Sequence, residues 1–156
     1  MTGDVVSIWI KRAHRGVMDG VDNAQAVAGR GLAGNADQRG RRQVTIIDEA
    51  AWRDAAAETG AEVHPSKRRA NVMVRGIALA DSRDKLLRLG GCVIRILGET
   101  RPCERMEEAQ AGLRQALSTA WRGGIFGEVV EGGLIRVGDP AELKVCAAER
   151  WSEDGG

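Results

Sequence analysis

The chain has little cysteine, little proline and few aromatic residues. Its 156 residues include three cysteines, three prolines, four tryptophans, one phenylalanine and no tyrosine. The cysteines stand at positions 92, 103 and 146, an odd number at wide spacing with no CxxC pair. This pattern excludes a zinc ribbon and argues against a disulfide framework, so we expect a reducing, cytoplasmic environment.

The chain also lacks an excess of either charge and any long apolar run. It carries 23 basic and 22 acidic residues, for a formal net charge of +1. A general binder of nucleic acid or of a membrane surface should show a basic excess. No stretch reaches transmembrane length, and the first residues lack the basic and apolar regions of a signal peptide. We therefore expect a cytosolic protein that binds neither nucleic acid nor a membrane.

Glycine, in contrast, is abundant, and its 21 residues separate short apolar runs. This punctuation indicates many turns, as in a barrel or a sandwich. Strands are predicted at residues 5–10, 43–47, 72–74, 92–97, 125–130, 134–137 and 141–145. Residues 131–133 predict a hairpin turn that returns the chain along 134–137. Residues 12–23 predict a loop, and residues 81–88 a hairpin or a loop.

Two helices are predicted among these strands. Asp48 can cap a helix over residues 49–58 that ends near Gly60. A second helix is predicted over residues 104–121, because its apolar residues then share one face. They are Met106, Ala109, Leu113, Leu117 and Trp121. The fold class is therefore mixed α+β and β-rich: a barrel with a few peripheral helices, formed by one domain over residues 1–147, with 148–156 as a flexible tail.

Cys103 is the strongest candidate for chemistry. Pro102 disfavours helix at Arg101, so the chain turns there and Cys103 falls near the first turn of the second helix. Flanking arginines and the helix N-terminus favour the thiolate, although Glu104 opposes them. A thiolate suits a metal ligand or a persulfide carrier. The alternative is a small, buried core cysteine.

Three basic clusters are candidates for binding an anion. The run KRRAN at residues 67–71 places three cations before an amide. Guanidinium groups pair with phosphate oxygens, and an amide offers a ring both a donor and an acceptor. Arg42 and Gln43 stand at the start of a strand, and Arg122 precedes two glycines whose backbone could receive an anion. Solvated surface loops would explain each cluster equally well.

Six segments, taken in order, resemble the MOSC domain, the module found at the C-terminus of molybdenum-cofactor sulfurases. They are VAGRGLAG (27–34), RQVT (42–45), RANV (69–72), TRPCERM (100–106), RGG (122–124) and GLIRVGD (133–139). The resemblance covers most of the chain, from about residue 5 to residue 145. It implies a β-barrel that binds the molybdenum cofactor, a molybdopterin carrying Mo. Asn35 stands where many members of the family have Asp.

The resemblance also implies a set of site residues. Cys103 would bind Mo directly, as in the molybdenum reductases of the family, or carry a persulfide sulfur. The implied cofactor-binding residues are Arg69, Asn71, Thr100 and Arg122, together with Arg42, Gln43 and Arg68. The chain shows neither the aminotransferase-like domain of the sulfurases nor the extra N-terminal barrel of the mitochondrial amidoxime reductases. No site for pyridoxal phosphate is therefore expected.

Three functions stay open from the sequence. A molybdenum-dependent reductase of N-hydroxylated compounds would take electrons from a separate reductase, because no flavin or haem motif is visible. A non-enzymatic protein would carry the cofactor, or sulfur received from a donor protein. A module for a phosphorylated small molecule would use the basic residues alone, with Cys103 merely structural.

Overall fold

The structure, a computed structural model, describes residues 2–13, 16–36, 40, 42–60, 63–100, 104–118, 120–144 and 151, without the side chains of residues 67, 104, 105 and 107. Its strands are β1 (Thr2–Lys11), β2 (Met18–Val21), β3 (Asn23–Val27), β4 (Gly31–Leu32), β5 (Val44–Asp48), β6 (Val72–Arg75), β7 (Leu86–Leu89), β8 (Cys92–Glu99), β9 (Ile125–Glu131), β10 (Gly133–Arg136) and β11 (Pro140–Lys144). Its helices are α1 (Glu49–Thr59), α2 (Glu104–Ala109), α3 (Leu113–Leu117) and a 3₁₀ turn at Pro65–Arg68.

Seven strands close into a barrel in the order β1-β11-β7-β8-β9-β5-β6, with β6 pairing back to β1. Neighbours are antiparallel except β5 and β6, which run parallel. A parallel pair needs a long crossover, and α1 with the 3₁₀ turn supplies it. On its second edge, β1 pairs with β11 through residues 2–4 and with β2 through residues 8–11. The predicted β-rich barrel with peripheral helices is confirmed.

A second sheet of three strands, in the order β10-β3-β4, lies outside the ring. Here the predicted hairpin was wrong, since β10 pairs with β3 rather than returning along β9. Burial explains the choice, because Ile135 of β10 joins Ala24 and Ala26 of β3 in the barrel core. The loop predicted over residues 12–23 was also wrong: it contains β2, and Asn23 begins β3. Similarly, residues 86–88 form most of β7.

Helix α1 begins and ends as the sequence predicts. The Asp48 side chain accepts a hydrogen bond from the backbone N–H of Ala50 at 3.3 Å. Partial burial raises the pKa of Asp48, while backbone hydrogen bonds oppose the shift. Gly60 takes the left-handed conformation that ends the helix, with φ of 73°. Trp52 and Ala55 of this helix are buried, so α1 covers the barrel with its apolar face.

The helix predicted over residues 104–121 is two short helices. It breaks because Gly112, with φ of 85°, adopts a left-handed conformation between α2 and α3. The break still brings Met106 and Leu113 into one apolar cluster with Trp52. Trp121 does not share their face, since it packs against the barrel core instead. The predicted apolar face was therefore correct for Met106, Leu113 and Leu117, but Ala109 is exposed and the helix is not continuous.

Candidate functional site

A cavity of about 330 Å³ opens where β1 ends and where β5 and β6 begin. Its lining residues are Lys11, Met18, Asn35, Ala36, Arg42, Gln43, Val44, Thr45, Arg69 and Asn71. Four of the seven predicted cofactor-binding residues therefore line this cavity: Arg42, Gln43, Arg69 and Asn71. The cavity volume falls at the lower end of the range typical of small-molecule sites.

The described lining of this cavity is cationic. Lys11, Arg42 and Arg69 contribute positive charge, and none of the described lining residues is Asp or Glu. The remaining polar groups are amides and a hydroxyl, from Asn35, Gln43, Thr45 and Asn71. This combination suits an anion that has several oxygen acceptors. We refer to it below as the cationic cavity.

Arg69 reaches the cationic cavity from an unusual backbone conformation. It follows the 3₁₀ turn and has φ of 65°, a left-handed value that costs a non-glycine residue on the order of 1–2 kcal/mol. His64 caps this turn, because its Nδ1 accepts from the N–H of Ser66 at 3.2 Å. The Arg69 guanidinium donates to the carbonyl oxygen of Gly16 at 2.7 Å. These contacts fix the side chain between the turn and the segment before β2.

Arg42 and Gln43 are held by the neighbouring strand β9. The guanidinium of Arg42 lies 5.4 Å from the centre of the Phe126 ring, within cation–π range. Gln43 Oε1 accepts from the N–H of Val129 at 3.0 Å, and its Nε2 donates to the carbonyl oxygen of Gly40 at 3.1 Å. The buried side chain of Gln43 therefore connects β9 to the segment at Gly40, whereas Arg42 is exposed.

Asn71 joins three parts of the cavity wall. Its Oδ1 accepts from the N–H of Thr45 at 3.1 Å and from the Thr45 hydroxyl at 3.3 Å. Its Nδ2 donates to the carbonyl oxygen of Trp9 at 3.2 Å and to Asn35 Oδ1 at 3.1 Å. These contacts use both acceptor and both donor positions of the amide. The Asn71 side chain therefore connects β1, β5 and the loop residue Asn35 through hydrogen bonds.

The other three predicted residues, Arg68, Thr100 and Arg122, do not line the cationic cavity. The buried guanidinium of Arg68 donates to the carbonyl oxygens of Gly123 at 2.9 Å and Thr100 at 3.2 Å. Thr100 is buried, and its hydroxyl has no hydrogen-bond partner among the described residues. Arg68 thus ties the end of β8 to the turn before β9.

Arg122 occupies a place between helices. Its guanidinium lies 2.7 Å from the carboxylate of Glu58 and donates to the carbonyl oxygen of Ala116 at 3.2 Å. The first contact connects the turn before β9 to α1, and the second satisfies a carbonyl near the end of α3. Both contacts give Arg122 a structural role in the helical layer.

Only one of the three cysteines lies within the described residues. Cys103 and Cys146 fall in the ranges 101–103 and 145–150, which are outside them. Cys92 is fully buried in the barrel core, and burial raises the pKa of its thiol to about 12. It is therefore protonated and inaccessible near neutral pH.

A second, wider groove of about 720 Å³ is lined by residues of α1, of the 3₁₀ turn and of β6, and the sequence did not predict it. Trp52, Val63, His64 and Met73 contribute to it.

No group of three or more His, Cys, Asp or Glu residues within the described ranges could hold a metal ion. Nor does any helix of those ranges have the length and apolarity needed to cross a membrane.

Sequence reasoning missed five lining residues of the cationic cavity: Lys11, Met18, Ala36, Val44 and Thr45. Thr45 lies inside the segment RQVT, and Lys11 directly follows the first predicted strand, residues 5–10. No local signal marks Lys11 as a lining residue, because its wall contacts are distant in sequence: its N–H donates to Asn35 Oδ1, and its carbonyl oxygen accepts from the N–H of Ala36. Asn35 was singled out by the family resemblance, as a departure from the Asp of many members.

Comparison with known proteins gives consistent results. The family model described as MOSC domain matches residues 14–142. Similar solved structures include the YuaD protein from Bacillus subtilis, with TM-score 0.78 and 22% identity over 92% of this chain and 96% of that one. YiiM from Geobacillus stearothermophilus has TM-score 0.72 and 16% identity, covering 91% and 75%. YiiM from Escherichia coli has TM-score 0.69 and 16% identity, covering 96% and 72%. No curated protein matches the sequence.

Proposed function

Because this chain belongs to the MOSC domain family, we propose that its cationic cavity holds the phosphate-bearing end of a molybdenum cofactor. One observation carries the proposal: Lys11, Arg42 and Arg69 face a cavity whose described lining includes no carboxylate. Such a donor set fits a phosphate, which accepts charge-assisted hydrogen bonds through several oxygens. It would repel a cationic ligand.

The lining residues divide into binding and positioning groups. Arg42 and Arg69 can offer guanidinium donors to a phosphate, and Lys11 can add a point charge. Asn71 was expected to face the pterin ring, but its amide is already bonded to protein groups. In this proposal it keeps the wall in place. The cofactor, when bound, supplies redox chemistry at Mo, while these residues bind and orient it.

We propose Cys103 as the thiolate that meets Mo or carries a persulfide sulfur. The support is chemical: the residue stands between Arg101 and Arg105 in the TRPCERM segment of the family resemblance. Arg68 and Thr100 hold the end of β8, three residues before Cys103. Their role in the proposal is to anchor this strand end, and Arg122 supports the helical layer.

Two activities are compatible with this site. In the first, the protein reduces N-hydroxylated compounds with electrons from a separate reductase. In the second, it carries sulfur or the cofactor and has no turnover of its own. Cofactor-loaded protein supplied with a chemical electron donor and hydroxylaminopurine separates them, since only the first activity gives reduction of the substrate.

The test of the cavity assignment compares two arginine variants made in a cofactor-competent host. Arg42→Gln removes one cation of the cavity, and Arg53→Gln removes an exposed cation of α1 outside it. A charged hydrogen bond contributes about 1.5–3 kcal/mol, so we expect Arg42→Gln to retain Mo and pterin about tenfold less well. Arg53→Gln should match the wild type. Equal cofactor content in all three proteins would contradict the assignment.

The cavity alone also favours a second candidate, a module that binds a phosphorylated small molecule. Its cations do not depend on Cys103 or on Mo. Elemental analysis separates this candidate from the first, because wild-type protein that contains no Mo but binds phosphate monoesters would support it.

A further inference from the structure

We propose that Asn35 sets the charge selectivity of the cationic cavity, so that the site prefers a dianion, such as a phosphate monoester, over a monoanion. The inference rests on the proposed function, because it assumes an anionic ligand. Asn35 is half-buried in the cavity wall. Of the three amides in the described lining, Asn35 alone is half-buried, whereas Gln43 and Asn71 are buried.

The contacts of Asn35 are mainly those of an acceptor. Its Oδ1 accepts from the backbone N–H of Lys11 at 2.8 Å and from Asn71 Nδ2 at 3.1 Å. Its Nδ2 donates to the carbonyl oxygen of Ala36 at 3.3 Å, a long hydrogen bond. A carboxylate of the same shape could accept both of the shorter hydrogen bonds. The local network therefore uses the amide as a donor only in the long hydrogen bond to Ala36.

A neutral amide at position 35 leaves the positive charge of the cavity wall unchanged. Three lining residues are cations, and a carboxylate at position 35 would offset one of them. The energy of a ligand in this field scales with the ligand's own charge. An added negative charge therefore weakens binding of both ligands, and its cost in binding free energy is twice as large for a dianion as for a monoanion. A neutral residue 35 keeps the preference for the dianion.

The experiment compares Asn35→Asp with the wild type, using full chain made in a host that cannot make the cofactor. Calorimetry near pH 8 measures the affinity for methyl phosphate, a dianion because the second pKa of a phosphate ester is about 6, and for dimethyl phosphate, a monoanion. We expect Asn35→Asp to weaken methyl phosphate about tenfold and dimethyl phosphate about threefold. Gln115→Glu, which adds the same charge on an exposed position of α3, should change neither.

The outcomes distinguish this inference from the proposed function. Equal losses for both ligands, or no loss, would overturn the role of Asn35 while leaving the cavity assignment intact. A wild-type protein that binds neither ligand would overturn both. Should Asn35→Asp not fold, Ala36→Asp places the same charge in the same wall without altering the Asn35 side chain. An unchanged preference between the two ligands in that variant would also overturn the inference.

Discussion

At the scale of single residues, the cysteines differ in environment and therefore in expected reactivity. Cys92 is sealed in the barrel core with a raised thiol pKa, whereas Cys103 lies between two arginines in the sequence. A thiol must lose its proton to bind a soft metal or to hold sulfur. Only the local charges around Cys103 favour that loss.

We therefore predict that Cys103→Ser leaves the protein folded but removes its chemistry. Serine is similar in volume, and its hydroxyl stays protonated near neutral pH, so it cannot replace a thiolate on Mo. Reductase or sulfur-carrying activity should fall to background, with little change in melting temperature. Cys92→Ser is the matched control and should keep its activity, although burial of a hydroxyl in the core will lower its melting temperature. Similar activity in both variants would remove Cys103 from the mechanism.

The sequence identified part of the cavity at this scale. Arg42, Gln43, Arg69 and Asn71 were found because residue type and segment pointed to phosphate or ring contacts. The internal hydrogen bonds of Asn71 were not predictable, since its partners Trp9 and Asn35 are distant in sequence. The same holds for Arg122, which lies in the turn before β9 and whose partner Glu58 belongs to α1.

At the scale of elements, apolar runs located strands well but not their partners. The strands predicted at residues 5–10 and 125–130 fall within β1 and β9, respectively. The strand predicted at residues 43–47 falls within β5 except for Gln43, which precedes it. The choice of β3 as the partner of β10 depends on burial of Ile135 against a distant strand. Such pairing is a property of the assembled core, so a local pattern cannot contain it.

Gly112→Ala tests the break between α2 and α3. A Cβ at this position has room, since its nearest neighbour would be the methyl group of Thr59 at 3.9 Å. The cost is therefore backbone strain at φ of 85°, about 1 kcal/mol of unfolding free energy. Urea unfolding measures it. Gly112→Asn should lose less, because Asn tolerates the left-handed region. Unchanged stability in Gly112→Ala would indicate that the two helices can join.

At the scale of the whole molecule, one short pairing closes the ring. Residues 2–4 of β1 pair with residues 140–142 of β11, and the N–H of Val5 donates to the carbonyl oxygen of Asp139 at 2.9 Å. Gly3 lies at this closure, where the backbone of Arg75 and Gly76 approaches it closely. We expect this closure to be sensitive to any added side-chain atom.

Gly3→Ala should therefore destabilise the entire barrel. A Cβ at Gly3 would collide with the carbonyl oxygen of Arg75, which is backbone and cannot turn away. We expect a loss of about 3 kcal/mol or more in unfolding free energy, measured by chemical denaturation. Gly20→Ala is the control, because its Cβ would meet Trp9 at an ordinary 3.8 Å. Equal stability of the two variants would show that the closure can move to accept a methyl group.

The closing pair also determines when the barrel can exist during synthesis. Thr2 pairs with Glu142, so residues 2–4 of β1 must wait for β11 before that edge is paired. A ribosome adds about 5–20 residues per second, which leaves that edge open for roughly 7–30 seconds. During this interval β1, which ends at Lys11, can recruit β6 and with it Asn71, before the ring is complete. The wall of the cationic cavity can thus form early, while the ring of strands stays open until β11 has been synthesised.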